Sequence, residues 1–145
     1  MKSKSVLTKP HSEAAKKEYT RLLIVACIIL IIAAFYPVFK AGFVNWDDEE
    51  YVVKNTSIHT PTRIHKIISE PVSGNYHPVT MLSLAIDYWI SDGNPKWFHF
   101  VNVLIHIINT ILVFIFIFKI SGSKKWIAFI SAMFFAVHPL HVESV

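Results

Sequence analysis

Two long apolar blocks, the second interrupted by His and Asn residues, limit what this sequence can fold into more than any other feature. Leu22 to Phe39 is 18 residues without a charge, and Trp97 to Phe118 is 22 residues without one. A membrane-crossing helix needs about 20 apolar residues, so each block predicts one. The first block also exceeds the roughly 7–15-residue core of a secretory signal, which favours a retained helix.

A third apolar block is shorter. It runs from Trp126 to Val142, and its 17 residues would form a helix about 26 Å long at ~1.5 Å per residue, barely enough to cross. The expected fold class is therefore an all-α membrane protein with three transmembrane helices, at 22–39, 97–118 and 126–142.

Composition agrees with a membrane protein. Of the 145 residues, 53% are hydrophobic and 17% are charged, against about 25% charged residues in soluble domains. One cysteine cannot form an internal bridge, which excludes a disulfide scaffold. The net charge of +4 comes from bases that do not cluster on a soluble face, so no nucleic-acid partner is expected.

The distribution of Lys and Arg predicts the orientation of a multi-pass protein. Six bases precede the first helix and three lie in the 119–125 turn, whereas 40–96 holds five bases and seven acids. The positive-inside rule therefore makes 1–21 a basic cytoplasmic tail and 119–125 a cytoplasmic turn. It makes 40–96 an extracytoplasmic loop and puts 143–145 at the outer end of the third helix.

Two short helices are expected in the loop. The first, at about 61–69, follows an N-cap-like Thr60 with Pro61 at the first helical position. The second, at about 78–91, begins at a proline and is apolar nearly all round. Both are too short to span a bilayer, so they are expected to lie in its interface.

An acidic run, Asp47-Asp48-Glu49-Glu50, lies just beyond the first helix. It fits a solvated loop that helps to orient the helix. It also fits a general base, because adjacent carboxylates disfavour each other's ionisation and one of them becomes a better proton acceptor. Asp47 and Asp48 could equally hold a divalent cation such as Mg²⁺ or Mn²⁺.

Two further polar clusters lie in the predicted helices. At ~100° per residue, His99, Asn102, His106 and Asn109 form one polar stripe, which favours hydrogen bonding between helices. His99 is set apart as a candidate site residue because it lies at the outer end. The other cluster, His138-Pro139-Leu140-His141-Val142-Glu143, offers acid–base or metal-binding groups at a spacing that fits no firm zinc signature.

Several motifs carry a resemblance to a known family. In order they are Phe43-Val44-Asn45-Trp46-Asp47-Asp48, Tyr51-Val52, Asn55, Gly74-Asn75-Tyr76-His77-Pro78-Val79-Thr80, Leu82-Ser83, Asp87, His99, Asn102, Leu104, His106, Asn109 and His138-Pro139-Leu140-His141-Val142-Glu143-Ser144-Val145. Together they resemble the N-terminal part of the bacterial relatives of the tetratricopeptide-repeat O-mannosyltransferases. These are membrane glycosyltransferases of the GT-C fold class.

The resemblance implies a partial GT-C fold with a catalytic carboxylate at Asp47 or Asp48. It implies a polyprenyl-phosphate sugar donor and a protein or glycan acceptor outside the cytoplasm, at a bacterial inner membrane. The residues then expected to bind substrate are His77, His99, His138, His141 and Glu143.

The family's members continue through further membrane helices and a repeat domain, whereas this sequence stops at Val145. The expectation is a truncated glycosyltransferase that is inactive alone. The alternatives are a membrane metal-binding or transport component, which uses the same acids and histidines as ligands, and a three-helix scaffold without chemistry.

Overall fold

A computed structural model describes residues 10–44 and 46–139, with side chains from Glu18 onward. Its elements are helix α1 (Pro10–Phe35), a 3-10 turn (Tyr36–Lys40), a π-helical turn (Glu49–Val53), a second 3-10 turn (Pro61–Arg63), α2 (Ile64–Ser69), α3 (Pro78–Ser91), α4 (Pro95–Ile120) and α5 (Lys125–Val137). They form two compact units. Of the described residues, the membrane-helix unit takes 10–34 and 105–139, and the loop unit takes 35–44 and 46–104.

Two segments are long and apolar enough to cross a membrane: Glu18–Lys40 and Pro95–Ile120. They match two of the three spans that the sequence predicts. Only 22% of each span is buried inside the protein, whereas the core helix of a soluble protein would be mostly buried. A large exposed apolar surface of this kind suits contact with lipid.

The third predicted span, 126–142, does not form a single helix. Helix α5 ends at Val137 after 13 residues, about 20 Å at ~1.5 Å per residue, which is less than the ~30 Å hydrocarbon core. His138 has extended backbone, at φ −67° and ψ 131°. The physical reason is Pro139, whose ring disfavours helical geometry in the preceding residue. Residues 140–142 lie outside the described part of the chain.

Helix α5 packs inside the membrane-helix unit through a face of small residues. Ala128, Ala132 and Ala136 recur every four residues and are fully buried. Leu23, Cys27 and Phe114 belong to the same core as the first two alanines. Small side chains let helices approach closely, which is how apolar helices associate where no hydrophobic driving force exists between them.

His106 makes the interhelical hydrogen bond that the polar stripe predicts. It is buried, its Nε2 lies 2.9 Å from the Ala136 carbonyl oxygen, and its ring stacks on Phe135. Asn109, in contrast, is exposed. The two side chains lie about 60° apart around α4, and α5 covers only the His106 edge of the stripe.

Replacing His106 by Leu should destabilise the membrane-helix unit by about 0.6–2 kcal/mol, because the Ala136 carbonyl loses its partner in an apolar setting. Asn109→Leu is the matched control, since it removes an exposed polar side chain from the same helix. Denaturation in detergent would measure both variants. Equal losses in the two would mean that the His106 bond contributes nothing of its own.

The loop unit has a hydrophobic core that fixes its short elements to one another. The core joins the π turn, α2, α3 and the beginning of α4, and its buried members are Val52, Ile58, Ile67, Met81, Ala85 and Phe98. Helix α2 packs directly on α3. These helices occupy the ranges in which the sequence predicts loop helices, and their placement in a membrane interface stays a prediction.

Two tryptophan side chains form hydrogen bonds between different elements of the loop unit. The Trp89 indole N–H donates to the Ile58 carbonyl at 2.7 Å, and the Trp97 N–H donates to the Asp87 carboxylate at 3.0 Å. Buried indole groups usually find such a partner. As a result, α3 is bonded both to the chain before α2 and to the first turn of α4.

Candidate active site

The acidic run forms a tight helical turn. The Lys54 N–H donates to the Glu49 carbonyl at 2.8 Å, five residues back, which makes residues 49–53 a π-helical turn. The Val44 N–H donates to Asp48 Oδ2 at 3.0 Å. The Asp48 carboxylate is therefore held by one oxygen, and no hydrogen bond to its other oxygen forms within the described residues. Isolated π turns occur frequently at functional sites.

A two-residue hairpin turn faces the π turn. Val72 and Asn75 exchange both backbone hydrogen bonds at 2.9 Å, and the intervening Ser73 and Gly74 have φ of +48° and +77°. Positive φ at both central positions is the type I′ pattern, in which glycine avoids the steric cost of the left-handed region. The Ser73 hydroxyl donates to the Glu50 carboxylate and connects the two turns.

The start of α3 places His77. Pro78 is the first helical residue, where its missing N–H costs nothing. His77 precedes it with extended φ of −137° and ψ of 72°, and its carbonyl accepts the Met81 N–H at 3.0 Å. The imidazole is thus set at the entrance of the helix by the proline that follows it.

Tyr51 joins the π turn to this helix start. Its hydroxyl lies 3.1 Å from His77 Nε2, and Asn75 Nδ2 donates to the same hydroxyl at 3.2 Å. Since the amide donates to the tyrosine oxygen, the tyrosine proton is free to go to Nε2. With the tyrosine as donor, Nε2 is the accepting nitrogen and Nδ1 carries the N–H that a ligand could accept.

These side chains surround one cavity of about 410 Å³, within the size range of small-molecule sites. Its lining combines the two acids with the hydrogen-bonded group: Asp47, Asp48, Tyr51, Val52, Asn75, His77, Thr80 and Leu84. We call it the Asp48 cavity. It unites a proton acceptor with nitrogen and hydroxyl donors, the functional groups that transfer to a hydroxyl acceptor requires.

The other predicted site residues lie elsewhere. His99 is half-buried in α4, and its Nε2 is buried without a hydrogen-bond partner in the described part of the chain. His138 follows α5 in the membrane-helix unit and is exposed. His141 and Glu143 fall outside the described residues. Within 10–44 and 46–139, no three His, Cys, Asp or Glu side chains are gathered as a metal cluster would need.

Five lining residues of the cavity were not predicted as site residues, and two of them, Tyr51 and Asn75, hydrogen-bond to each other. Both stand within the quoted motifs, but their polar atoms meet across 24 residues of chain. The spacing of Tyr51 from Asp47 could have indicated it. Residues four apart lie on the same side of a helical turn, so Tyr51 is expected near Asp47.

Asp87 is the buried acid of the loop unit, with 7% of its surface exposed. Burial raises the pKa of its carboxyl above the ordinary value, and the hydrogen bond from Trp97 opposes that rise. Asp87 does not line the Asp48 cavity. Its contact is to the indole that connects α3 to α4, which makes it a structural group.

Stability should depend on pH through Asp87. Between the ordinary carboxyl value of 3.8 and the raised pKa, the folded protein binds more protons than the unfolded chain. Its free energy of unfolding therefore falls as pH rises through that window. Asp87→Asn keeps an oxygen for Trp97, so it should be more stable than wild type at pH 7 by on the order of 1 kcal/mol.

The difference between Asp87→Asn and wild type should vanish below pH 3.8, where both side chains are neutral. Thermal denaturation across pH would measure it. A variant less stable than wild type at pH 7 would mean that the ionised carboxylate stabilises the fold.

Comparison with known proteins gives one consistent group of relatives. The chain is 35% identical over 71 residues to Protein O-mannosyl-transferase TMTC1 of Mus musculus, covering 49% of the chain and 8% of the relative. It is 31% identical over 137 residues to Protein O-mannosyl-transferase TMTC4 of Homo sapiens, covering 79% of the chain and 18% of that relative. It is 28% identical over 132 residues to Protein O-mannosyl-transferase TMTC3 of Mus musculus, covering 83% and 14%.

The chain thus spans less than a fifth of each of these relatives. No family model matches it, and no solved structure matches it significantly. All three relatives are named as protein O-mannosyl-transferases. The three relatives named are animal proteins, so the bacterial setting stays an expectation from the resemblance.

Proposed function

We propose that this chain forms the acceptor-activating part of a membrane O-mannosyltransferase of the GT-C class. The sugar would move from a polyprenyl-phosphate donor to a hydroxyl of a protein acceptor outside the cytoplasm. The observation that carries the proposal is the Asp48 cavity, which Asp47, Asp48 and His77 all line. The similarity to protein O-mannosyl-transferases supports it.

Asp48 is the proposed general base. The Val44 N–H holds one of its oxygens, which orients the other toward a bound acceptor. As the acceptor oxygen attacks the anomeric carbon, its proton passes to the carboxylate and the bond from that carbon to the phosphate oxygen breaks. Asp47, exposed beside it, keeps the cavity negative and helps to attract the hydroxyl proton.

His77 is the proposed partner of the departing phosphate. With Nε2 engaged by Tyr51, its Nδ1–H is available to donate to a phosphate oxygen as charge develops there. Tyr51 and Asn75 act by fixing the ring and its tautomer. A divalent cation held by Asp47 and Asp48 would supply further neutralisation of phosphate charge when bound.

The membrane supports this scheme by fixing the donor. A polyprenyl tail would anchor the phosphate at the bilayer surface, and residues 41–94 follow one segment of spanning length along the chain and precede the other. We place the loop unit outside and the N-terminus in the cytoplasm, following the bias of Lys and Arg.

The test uses the protein as its gene encodes it, purified into liposomes. Radiolabelled mannose on polyprenyl phosphate is the donor, and a blocked peptide containing serine and threonine is the acceptor. Mannosylated peptide, identified by mass spectrometry, is the expected product. Donor hydrolysis without labelled peptide would contradict transfer to a protein hydroxyl.

A further inference from the structure

A second cavity of the loop unit shares no lining residue with the Asp48 cavity. Its volume is about 450 Å³, and its walls include Glu50, Asn55, Lys66, Glu70 and Ser73. We call it the Asn55 cavity. Ligand sites are typically of this size and combine an apolar surface with a few placed polar groups.

Asn55 supplies a buried donor without a partner. Its Oδ1 accepts the Ser57 N–H at 3.1 Å, and its Nδ2 is buried with no hydrogen-bond partner among the described residues. Turning the amide over would place an NH₂ group against the Ser57 N–H, so the bond fixes the orientation. A buried donor left unpaired is costly, and a ligand oxygen would remove that cost.

The charges around the cavity balance. Its lining includes two bases, Lys54 and Lys66, and two acids, Glu50 and Glu70. Lys54 is already paired with Glu49 at 2.7 Å, and Glu50 already accepts from Ser73. A lining with equal numbers of both signs favours a neutral ligand rich in hydrogen-bonding groups over a phosphate.

The apolar part of the lining is aliphatic. Ile67, Val72 and Met81 contribute to it, and no aromatic side chain of the described residues does. It therefore lacks the flat ring surface on which a sugar would stack, but it fits an aliphatic side chain. A polypeptide has both features needed here, because it presents a carbonyl oxygen and an apolar side chain within one residue.

The two cavities take their walls from the same chain segments. Glu50 lines the Asn55 cavity and Tyr51 the Asp48 cavity, while Ser73 lines the first and Asn75 the second. Along α3, Met81 lines the first and Thr80 the second. The two cavities are therefore formed by neighbouring residues of the same three segments.

We propose that the Asn55 cavity binds a segment of the acceptor polypeptide, with Asn55 Nδ2 donating to one of its backbone carbonyls. A serine or threonine farther along the same segment then enters the Asp48 cavity. The assignment rests on the proposed function, and it adds the residues that recognise the acceptor.

Asn55→Asp tests the proposal because it keeps the oxygen that accepts from Ser57 and removes the donor. The dissociation constant of the blocked peptide, measured with the protein in lipid nanodiscs, should rise about tenfold, the loss expected for one hydrogen bond of ~1.4 kcal/mol. The KM for the polyprenyl-phosphate donor should stay unchanged.

Asn94→Asp is the matched control. Asn94 Oδ1 accepts the Lys96 N–H at 3.1 Å in the same i+2 arrangement, and the side chain is exposed and lines neither cavity. The control should leave peptide binding unchanged. Equal peptide affinity in Asn55→Asp and wild type, or a rise in donor KM alone, would overturn the proposal.

A second measurement does not depend on whether the variant folds. Hydrogen exchange of the wild-type protein is compared with and without bound peptide. Bound peptide should protect backbone amides at 54–58 and 66–73, and protection confined to 75–80 would overturn the proposal. Sugar transfer is scored separately. Peptide binding that depends on Asn55, without any transfer, would contradict the proposed function and leave the polypeptide site standing.

Discussion

Replacing Asp48 by Asn is expected to lower sugar transfer by about 10²–10⁴-fold, the usual contribution of a positioned general base. The substitution keeps the size of the side chain and an oxygen that can accept from the Val44 N–H, so the turn should retain its geometry. What it removes is the capacity to take the acceptor proton. Initial rates with saturating donor and peptide would measure the loss.

Asp92→Asn is the matched control for this experiment. Asp92 ends α3 in left-handed geometry, at φ +52°, which asparagine tolerates well, and it does not line the Asp48 cavity. Its transfer rate should match wild type. Full activity in the Asp47→Asn, Asp48→Asn double variant would refute the catalytic assignment and leave the acidic run as a solvated loop.

Metal titration separates the two roles open to these carboxylates. If Asp48 is a base, added Mg²⁺ or Mn²⁺ should not restore the rate of the Asn variant. If it serves chiefly to hold a cation, high metal concentrations should rescue part of the loss, and a chelator should abolish wild-type activity.

Ile58→Ala should destabilise the loop unit by about 2–5 kcal/mol, the usual cost of removing a large aliphatic side chain from a core. Ile58 is fully buried, and its carbonyl accepts the Trp89 indole N–H. Ile64→Ala is the matched control, because Ile64 is 42% exposed and its truncation leaves no enclosed cavity.

Tryptophan fluorescence during denaturation in detergent would measure both isoleucine variants, since Trp89 and Trp97 both report on the loop unit. Ile64→Ala should cost less than about 1 kcal/mol. Equal losses would mean that Ile58 does not anchor an independent core and that the cavities are held in some other way.

Features set by local chemistry could be predicted from the sequence. The start of α3 at Pro78 follows from the preference of proline for the first helical position. The two long spans follow from apolar length alone. The prediction of a third helix through 142 was wrong for an equally local reason. Pro139 disfavours helical geometry at His138, and α5 ends at Val137.

Features that depend on packing could not be predicted in the same way. The meeting of Tyr51 with Asn75 and His77 requires the core around Ile58 to bring the two turns together. Helical spacing predicts one polar stripe on α4, yet α5 covers His106 and leaves Asn109 exposed. A repeat pattern shows which residues share a face but not how much of that face a partner covers.

The unpaired amide of Asn55 could not be predicted from the sequence either. Its sequence neighbours say nothing about whether its amide is satisfied, because that depends on Ser57 for one atom and on the surrounding fold for the other. Asp87 is similar, since only the tertiary fold buries its carboxyl beside Trp97. Both residues were visible in the motifs, but their physical roles were not.

The most direct test of the central claim is sided sugar transfer to a membrane-impermeant peptide containing serine and threonine. Sealed vesicles carrying the protein would be prepared in both orientations, with the mannosyl donor in the bilayer. Labelled peptide is expected only where the loop unit faces the added peptide, and Asp48→Asn should abolish it there. Equal labelling in both orientations, or labelling that survives Asp48→Asn, would contradict an extracytoplasmic transfer site built on Asp48.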